Sequence, residues 1–386
     1  MFGRSVPLFK LFGFQVRIDA SWLILAVLIV WSLAAGFFPY AYSGLPTSDY
    51  WWMGVAGAVG LFGSIVVHEL FHSLVARRYN LPMRGITLFI FGGVAHMGGE
   101  PQSPKVEFWM AIAGPITSIV VGFIFYVLKI AGTGVWSIPV VGVLAYLAWI
   151  NWILAAFNLI PAFPLDGGRV LRSALWHFKG DLRRATRIAS AIGSGFGFLL
   201  MAYGLFELLS GAFIAAVWYF LIGMFLRGAS KASYEQMLVR TILAGEPVSH
   251  FMHRDPVTVP PDLSIQDFVH NYLYRYNFKM FPVVTGSDHL EGCVTIGDVR
   301  QIPRDEWPHH HVNEVAHPCS EENTISPDDD AMGVLAKMRD KGVSRLLVRD
   351  RDHLLAIVSM KDLVHFLASK LELEGGDTHG LRLSGM

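Results

Sequence analysis

His68-Glu69-Leu70-Phe71-His72 sets two imidazoles four residues apart, with a carboxylate directly after the first. On an α-helix positions i and i+4 share a face, so both rings can ligate one metal ion. Glu69 is placed to take a proton from a water on that metal and later pass it to a leaving amine. A catalytic zinc takes three protein ligands and keeps one position open, lowering the pKa of its water to about 7 and polarising a scissile carbonyl. The third ligand must come from another segment. Asp166 is the first choice, because Pro161 and Pro164 hold its segment extended and Gly167-Gly168 leave room for close approach. Glu207, alone between apolar runs, is the main rival, with His96, Glu100 and His177 behind it. Asn158 is a polar side chain in an apolar run near Asp166. It can donate to a developing oxyanion or join two helices by a hydrogen bond, and both readings stand.

These residues lie in an apolar setting. The chain has 386 residues, 53% hydrophobic and 16% charged, with a mean hydropathy of +0.43. Soluble domains carry roughly 25% charge. From Trp51 to Val67 there is no charged residue. Ionisable groups at membrane depth are costly and mark function, which favours metal chemistry over a pair of structural histidines. Charge is sparse up to Arg227 and ordinary after it, so a membrane domain precedes a soluble one. Zero net charge gives no case for a nucleic-acid partner. Cys293 and Cys319, both in the soluble part, read as reduced thiols.

A spanning helix needs about 20 apolar residues. Six stretches qualify: 20–38, retained because no cleavage site follows it; 51–79, with the His-Glu-x-x-His motif near its end; 107–129; 140–159; 188–206; and 208–226. Residues 81–99 are Gly-rich and β-forming, and predict a β-hairpin beside the second span. Two prolines and a Gly pair argue against regular helix over 158–168, and residues 170–187 predict a basic interfacial helix. Lys and Arg cluster at the N-terminus, at Arg77-Arg78, over 169–187 and at Arg227 and Lys231. Both ends of the membrane domain are therefore expected on the cytoplasmic side. His72 lies about 8 Å of helix from Arg77, which puts the site near that face.

After a linker at 229–245 the sequence repeats with a period of 64: His253 maps onto His317, Asp288-His289-Leu290 onto Asp352-His353-Leu354, and Asp298 onto Asp362. Each copy alternates β-rich and helical runs, which predicts two similar α/β modules. His309-His310-His311 between them reads as a solvated linker rather than a metal site.

Taken in order, His68-Glu69-x-x-His72, Gly92-Gly93-Val94-Ala95, Ala113-Gly114-Pro115 and Asn158 through Gly168 resemble the site-2 protease family of intramembrane zinc metalloproteases over roughly residues 10–228. The resemblance implies zinc on His68, His72 and Asp166, catalysis by Glu69, assistance from Asn158, and an 81–99 segment that positions an extended substrate strand. The repeat resembles a pair of CBS domains. Gly292 to Asp298 looks like their ribose-contacting loop, and Ala356 to Asp362 is the second copy, with Ala356 in place of the usual Gly. That implies an adenine nucleotide such as ATP contacted by Thr295, Asp298, Ser359 and Asp362, and a surface through which two chains can dimerise.

The expected architecture is a multi-pass α-helical membrane protein of about six transmembrane helices with a membrane-associated β-hairpin, followed by a soluble α/β CBS pair. The boundaries are 1–228, a linker at 229–245, modules at 246–308 and 309–371, and a tail at 372–386. The expected function is an intramembrane zinc endopeptidase in a prokaryotic inner membrane. The resemblance implies substrates that are single-span proteins within the lipid bilayer, and regulation by nucleotide at the CBS pair is the accompanying expectation. The competing class is a CBS-regulated channel or transporter. Against that class, the charges cluster at one depth and form no acidic ring. A structural zinc protein is a third reading, and Glu69 argues against it.

Overall fold

The computed structural model describes residues 6–373, apart from Pro82, Ile90, Phe91, Gly98 and Ser287. The chain divides into two compact units, residues 1–234 and 235–386.

The first unit opens with a hairpin, β1 (Val6–Leu11) and β2 (Phe14–Ile18). Helix α1 (Ala20–Ala41) follows, its start capped by Asp19 accepting from the Ser21 amide at 3.0 Å, and it passes through a π turn at Leu33–Phe37. Helix α2 is Thr47–Arg78, and β3 (Met83–Phe89) and β4 (Gly92–Met97) form the hairpin expected over 81–99. The hairpin does not stand alone. β3 pairs in parallel with β2, giving a four-stranded sheet in the order β1-β2-β3-β4. The N-terminal strands were not legible because Arg4, Lys10 and Arg17 read only as charges flanking a span.

Helices α3 (Pro104–Gly132), α4 (Ile138–Asn158), α5 (Asp166–Lys179), α6 (Leu182–Leu209) and the part of α7 (Phe213–Leu243) up to residue 234 complete the unit. Among the described residues α1, α2, α3, α4 and α6 are long and apolar enough to cross a membrane. The stretch expected as a sixth span falls across the end of α6 and the first half of α7. Lipid-compatible side chains such as Leu23, Ile24, Val27, Val120 and Phe123 point outward. Inward, small residues let backbones approach: a Cβ on Gly54 would stand 2.9 Å from the Val30 carbonyl oxygen, and one on Gly122 would stand 2.6 Å from the Trp152 ring.

Two local expectations need correction. Gly167-Gly168 lie inside α5 rather than in an irregular segment, because Cβ atoms there would collide with the backbone of Leu159 to Phe163; the glycines serve packing. The basic helix expected over 170–187 breaks at Gly180, left-handed at φ 68°, and Asp181 caps a new helix. The linker at 229–245 is mostly helix, a continuation of α7 to Leu243.

The second unit is a seven-stranded sheet built from the 64-residue repeat. β6 (Met280–Thr285), β7 (His289–Thr295) and a short α9 (Ile296–Val299) follow α8 (residues 265–276). β10 (Arg345–Asp350), β11 (His353–Ser359) and α11 (Met360–Leu373) follow α10 (Ala331–Lys341). The central order is β6-β7-β11-β10-β9, where β9 is Thr324–Ile325. Two short strands exchange between copies: β5 (His253–Arg254) pairs with β11, and β8 (His317–Pro318) pairs with β7. Phe281, Val283 and Val294 fill the core beside β6 and β7, and Leu346, Leu347 and Val348 the core beside β10. Burial raises the Cys293 thiol to about 11 and pushes Cys319 up as well, so both stay protonated at neutral pH.

Candidate metal centre

Helix α2 is about 48 Å long, against a hydrocarbon core of about 30 Å, and its two faces do different things near the motif. Val66 packs with Val16 and Leu88, and Leu70 packs with Phe14, so this face carries the sheet. Arg77 ties the sheet further, donating to the Phe12 carbonyl at 2.8 Å and stacking over Phe14. The other face carries His68 and His72, both buried, toward α3 and α5.

Asp166, the first residue of α5, meets them there. Its Oδ2 lies 3.0 Å from His68 Nε2 and 3.1 Å from His72 Nε2. The outer nitrogens are held from α3: His72 Nδ1 donates to the Met110 carbonyl at 2.6 Å, and His68 Nδ1 meets Ser118 Oγ at 2.8 Å. With its Nδ1–H committed to a carbonyl, neutral His72 presents an Nε2 lone pair toward Asp166. Electron-rich atoms converging on a carboxylate suit a cation. Zinc at 2.0–2.2 Å from such ligands makes a tetrahedron with edges of about 3.3 Å, a few tenths longer than the two separations seen. The donor set therefore fits zinc. Gly114 leaves room for it, since a Cβ there would overlap Nε2 of both histidines.

Among the described residues this is the one group of three metal-capable side chains. The rivals for the third position go elsewhere. Glu100 pairs with Arg172 at 3.2 Å, Glu207 lies in the last turns of α6, and His177 packs its ring on Phe178 near the end of α5. The side chain of His96 lies outside the described residues.

Glu69 sits on the flank of α2 under β4, where a Cβ on Gly93 would come 2.8 Å from its Cγ. Asn158 ends α4, and its Nδ2 donates to the Leu154 carbonyl one turn back at 3.0 Å, a bond within its own helix rather than between helices. An amide nitrogen carries two hydrogens, so this bond leaves one donor free.

Further residues around the centre, outside the sequence motifs, come from α3 and α5. Ser118 and the Met110 carbonyl orient the imidazoles. Glu107, read only as the edge of a span, is fully buried and accepts from Arg172 Nε at 2.6 Å. The available signal was a lone carboxylate at the head of an apolar run, with Arg169 and Arg172 spaced i, i+3 on the following basic helix. His310, in the segment read as a solvated linker, is exposed and pairs with Glu314 at 2.5 Å, which raises its pKa.

In the second unit Thr295 and Asp298 bond each other: Asp298 Oδ2 accepts from the Thr295 amide and hydroxyl, both at 2.7 Å. Asp298 Oδ1 also meets His317 Nε2 at 2.8 Å. Ser359 and Asp362 repeat the first arrangement.

The model of peptidase family M50 matches residues 56–135 and 128–202, and the CBS domain model matches 248–305 and 312–369. The candidate zinc metalloprotease Rip3 of Mycobacterium tuberculosis is 33% identical over 365 residues, 94% of this chain and 93% of that one. The zinc metalloprotease MJ0392 of Methanocaldococcus jannaschii is 28% identical over 372 residues, covering 96% and 98%. The solved site-2 protease from Methanocaldococcus jannaschii shares 30% identity, covers 60% of this chain and 95% of that one, and superposes with a TM-score of 0.43.

Proposed function

The chain belongs to peptidase family M50, the site-2 protease family of zinc metalloproteases, and carries a CBS domain pair; from that membership we propose that it is an endopeptidase cutting the transmembrane segments of single-span proteins. The observation that carries this reading is the convergence of His68, His72 and Asp166 inside a bundle of helices long enough to span a bilayer. The enzyme works in a prokaryotic inner membrane with both ends of the membrane domain on the cytoplasmic side. Membership of a peptidase family leaves the channel reading without support.

His68, His72 and Asp166 would hold the zinc. Bound there, zinc would polarise a carbonyl and acidify a water as a Lewis acid. Glu69 takes the proton from the attacking water and delivers it to the departing amine. Asn158, with one amide hydrogen uncommitted, donates to the carbonyl oxygen as negative charge develops on it. Substrate must lose helix locally, because in a helix its peptide groups are satisfied internally. β4 is an edge strand lying over Glu69, and an extended substrate can add to that edge as a further strand. An adenine nucleotide at the CBS pair changes the cleavage rate.

The test is cleavage of a purified single-span substrate, with zinc counted per chain. Glu69→Gln is expected to lose at least about 100-fold in rate while keeping zinc, and Asp166→Ala to lose the zinc. Wild-type cleavage by Glu69→Gln would sink the mechanism.

A further inference from the structure

Glu107 is 0% exposed and Arg172 is 4% exposed, an ion pair inside a unit made of membrane-spanning helices. Arg172 donates to Glu107 Oε1 from Nε at 2.6 Å and also from its NH2 group, and it reaches Glu100 at 3.2 Å. Arg169 stands 3.9 Å from the same Glu107 oxygen. The Arg172 guanidinium also lies 5.1 Å from the centre of the Phe163 ring, in the turn that leads to Asp166. Such a pair is a poor source of stability, since well-packed apolar residues do as well or better. Its place in the two helices suggests another use.

Glu107, Met110, Gly114 and Ser118 fall on one stripe of α3, at steps of three, four and four residues. The last three touch or make room for the two histidines. The first holds α5. From Glu107 to Gly114 is seven residues, about 10.5 Å of helix, and from Arg172 back to Asp166 is six residues, about 9 Å. The two helices run in opposite senses here, so nearly equal distances separate the ion pair from the histidine nitrogens on one helix and from the carboxylate on the other. Asp166 has no preceding helical turn to fix its height, because residues 159–165 are irregular.

We infer that the Arg172–Glu107 pair is a positioning clamp that sets α5 against α3 at the height where Asp166 completes the metal centre. This rests on the reading that Asp166 is a zinc ligand. Arg172 and Glu107 touch neither zinc nor substrate and act through Asp166.

The test measures zinc affinity by chelator competition, the absorption spectrum of the cobalt-substituted protein, and thermal unfolding of the metal-free form, all on the full chain in detergent. Arg172→Gln is expected to weaken zinc binding by about 10- to 100-fold, the usual effect of losing support behind a ligand, and Arg172→Lys to recover part of it. Because Arg172→Gln strands a buried carboxylate and can unfold the protein, the double variant Glu107→Gln/Arg172→Met decides. It is expected to unfold at the wild-type temperature without metal, yet bind zinc 10- to 100-fold more weakly, with a cobalt spectrum shifted toward that of Asp166→Ala. Wild-type zinc affinity and spectrum in the double variant would overturn the clamp. Early unfolding of its metal-free form would also overturn it, since the pair would then hold the fold rather than Asp166. If Asp166→Ala itself keeps zinc, the ligand assignment fails instead; if Asp166→Ala loses zinc and the double variant does not, only the clamp fails.

Discussion

A Cβ at Gly114 overlaps the Nε2 atoms of both His68 and His72, whereas a Cβ at Gly93 presses on Glu69 Cγ at 2.8 Å and Ile65 Cγ2 at 3.3 Å. Neither glycine has a left-handed backbone, so each is present for close approach and its loss should strike a different function. Gly114→Ala is expected to bind zinc at least about 10-fold more weakly and to lose cleavage with it, because the methyl group takes the space between the ligands. Gly93→Val is expected to keep one zinc per chain while cleavage falls by at least about 10-fold, because the displaced carboxylate is the base in the proposed mechanism. Metal content and turnover measured on the same samples separate the two, and zinc loss in Gly93→Val would show that β4 supports the ligands rather than Glu69. Ser118 and the Met110 carbonyl were invisible in the sequence for a plain reason. A serine in an apolar helix has many uses, and a main-chain carbonyl leaves no mark in composition.

At the scale of elements, hydropathy located the first four long helices to within a few residues, since about 20 apolar residues can do little else, but it misplaced the ends of the last two. The His-Glu-x-x-His spacing and the Pro-rich approach to Asp166 brought the convergence of His68, His72 and Asp166 within reach of the sequence as well. The prolines do break the helix over 159–165; what failed was the reading of the Gly pair as a breaker. Asp166 starts a helix, and Gly167-Gly168 form its first turn because the strand of chain before it folds back against that turn. Gly168→Ala is accordingly expected to lower stability by about 1–3 kcal/mol through overpacking against Ala162 and Phe163, although alanine is the better helix former. Thermal unfolding of the metal-free protein in detergent measures this, and a raised midpoint would mean that the turn can yield. The N-terminal strands escaped for the opposite reason: Val6–Leu11 and Phe14–Ile18 are too short to signal strongly, and β3, the partner that ties β2 into the sheet, is some 70 residues away in sequence. A parallel pairing of that separation leaves no local pattern to read.

At the scale of the whole chain, a peptidase domain is followed by a repeated CBS module, and the repeat is not symmetric in its details. Strand β8 crosses so near Gly292 that a Cβ there would strike the His317 carbonyl, whereas Ala356, buried at the matching position, pairs with β5 and keeps its methyl group. The Ala that departs from the CBS pattern is therefore accommodated by the fold. The carboxylates differ as well. Both oxygens of Asp298 are engaged, one by Thr295 and one by His317, while among the described residues Asp362 is bonded through Oδ2 to Ser359. A ribose hydroxyl needs an acceptor, and Asp362 Oδ1 offers one without displacing a neighbour. ATP binding is thus expected to fall by about 10-fold or more in Asp362→Ala and by less in Asp298→Ala, since a hydrogen bond to a charged group contributes about 1.5–3 kcal/mol. Removing the imidazole in His317→Ala frees Asp298 Oδ1 and is expected to raise affinity at the first copy. Calorimetric titration of ATP into the full-length protein, alongside its cleavage rate, reads both quantities. Equal losses in the two aspartate variants would mean that His317 gives way freely, and ATP without effect on heat or rate would remove the nucleotide from this protein's regulation altogether.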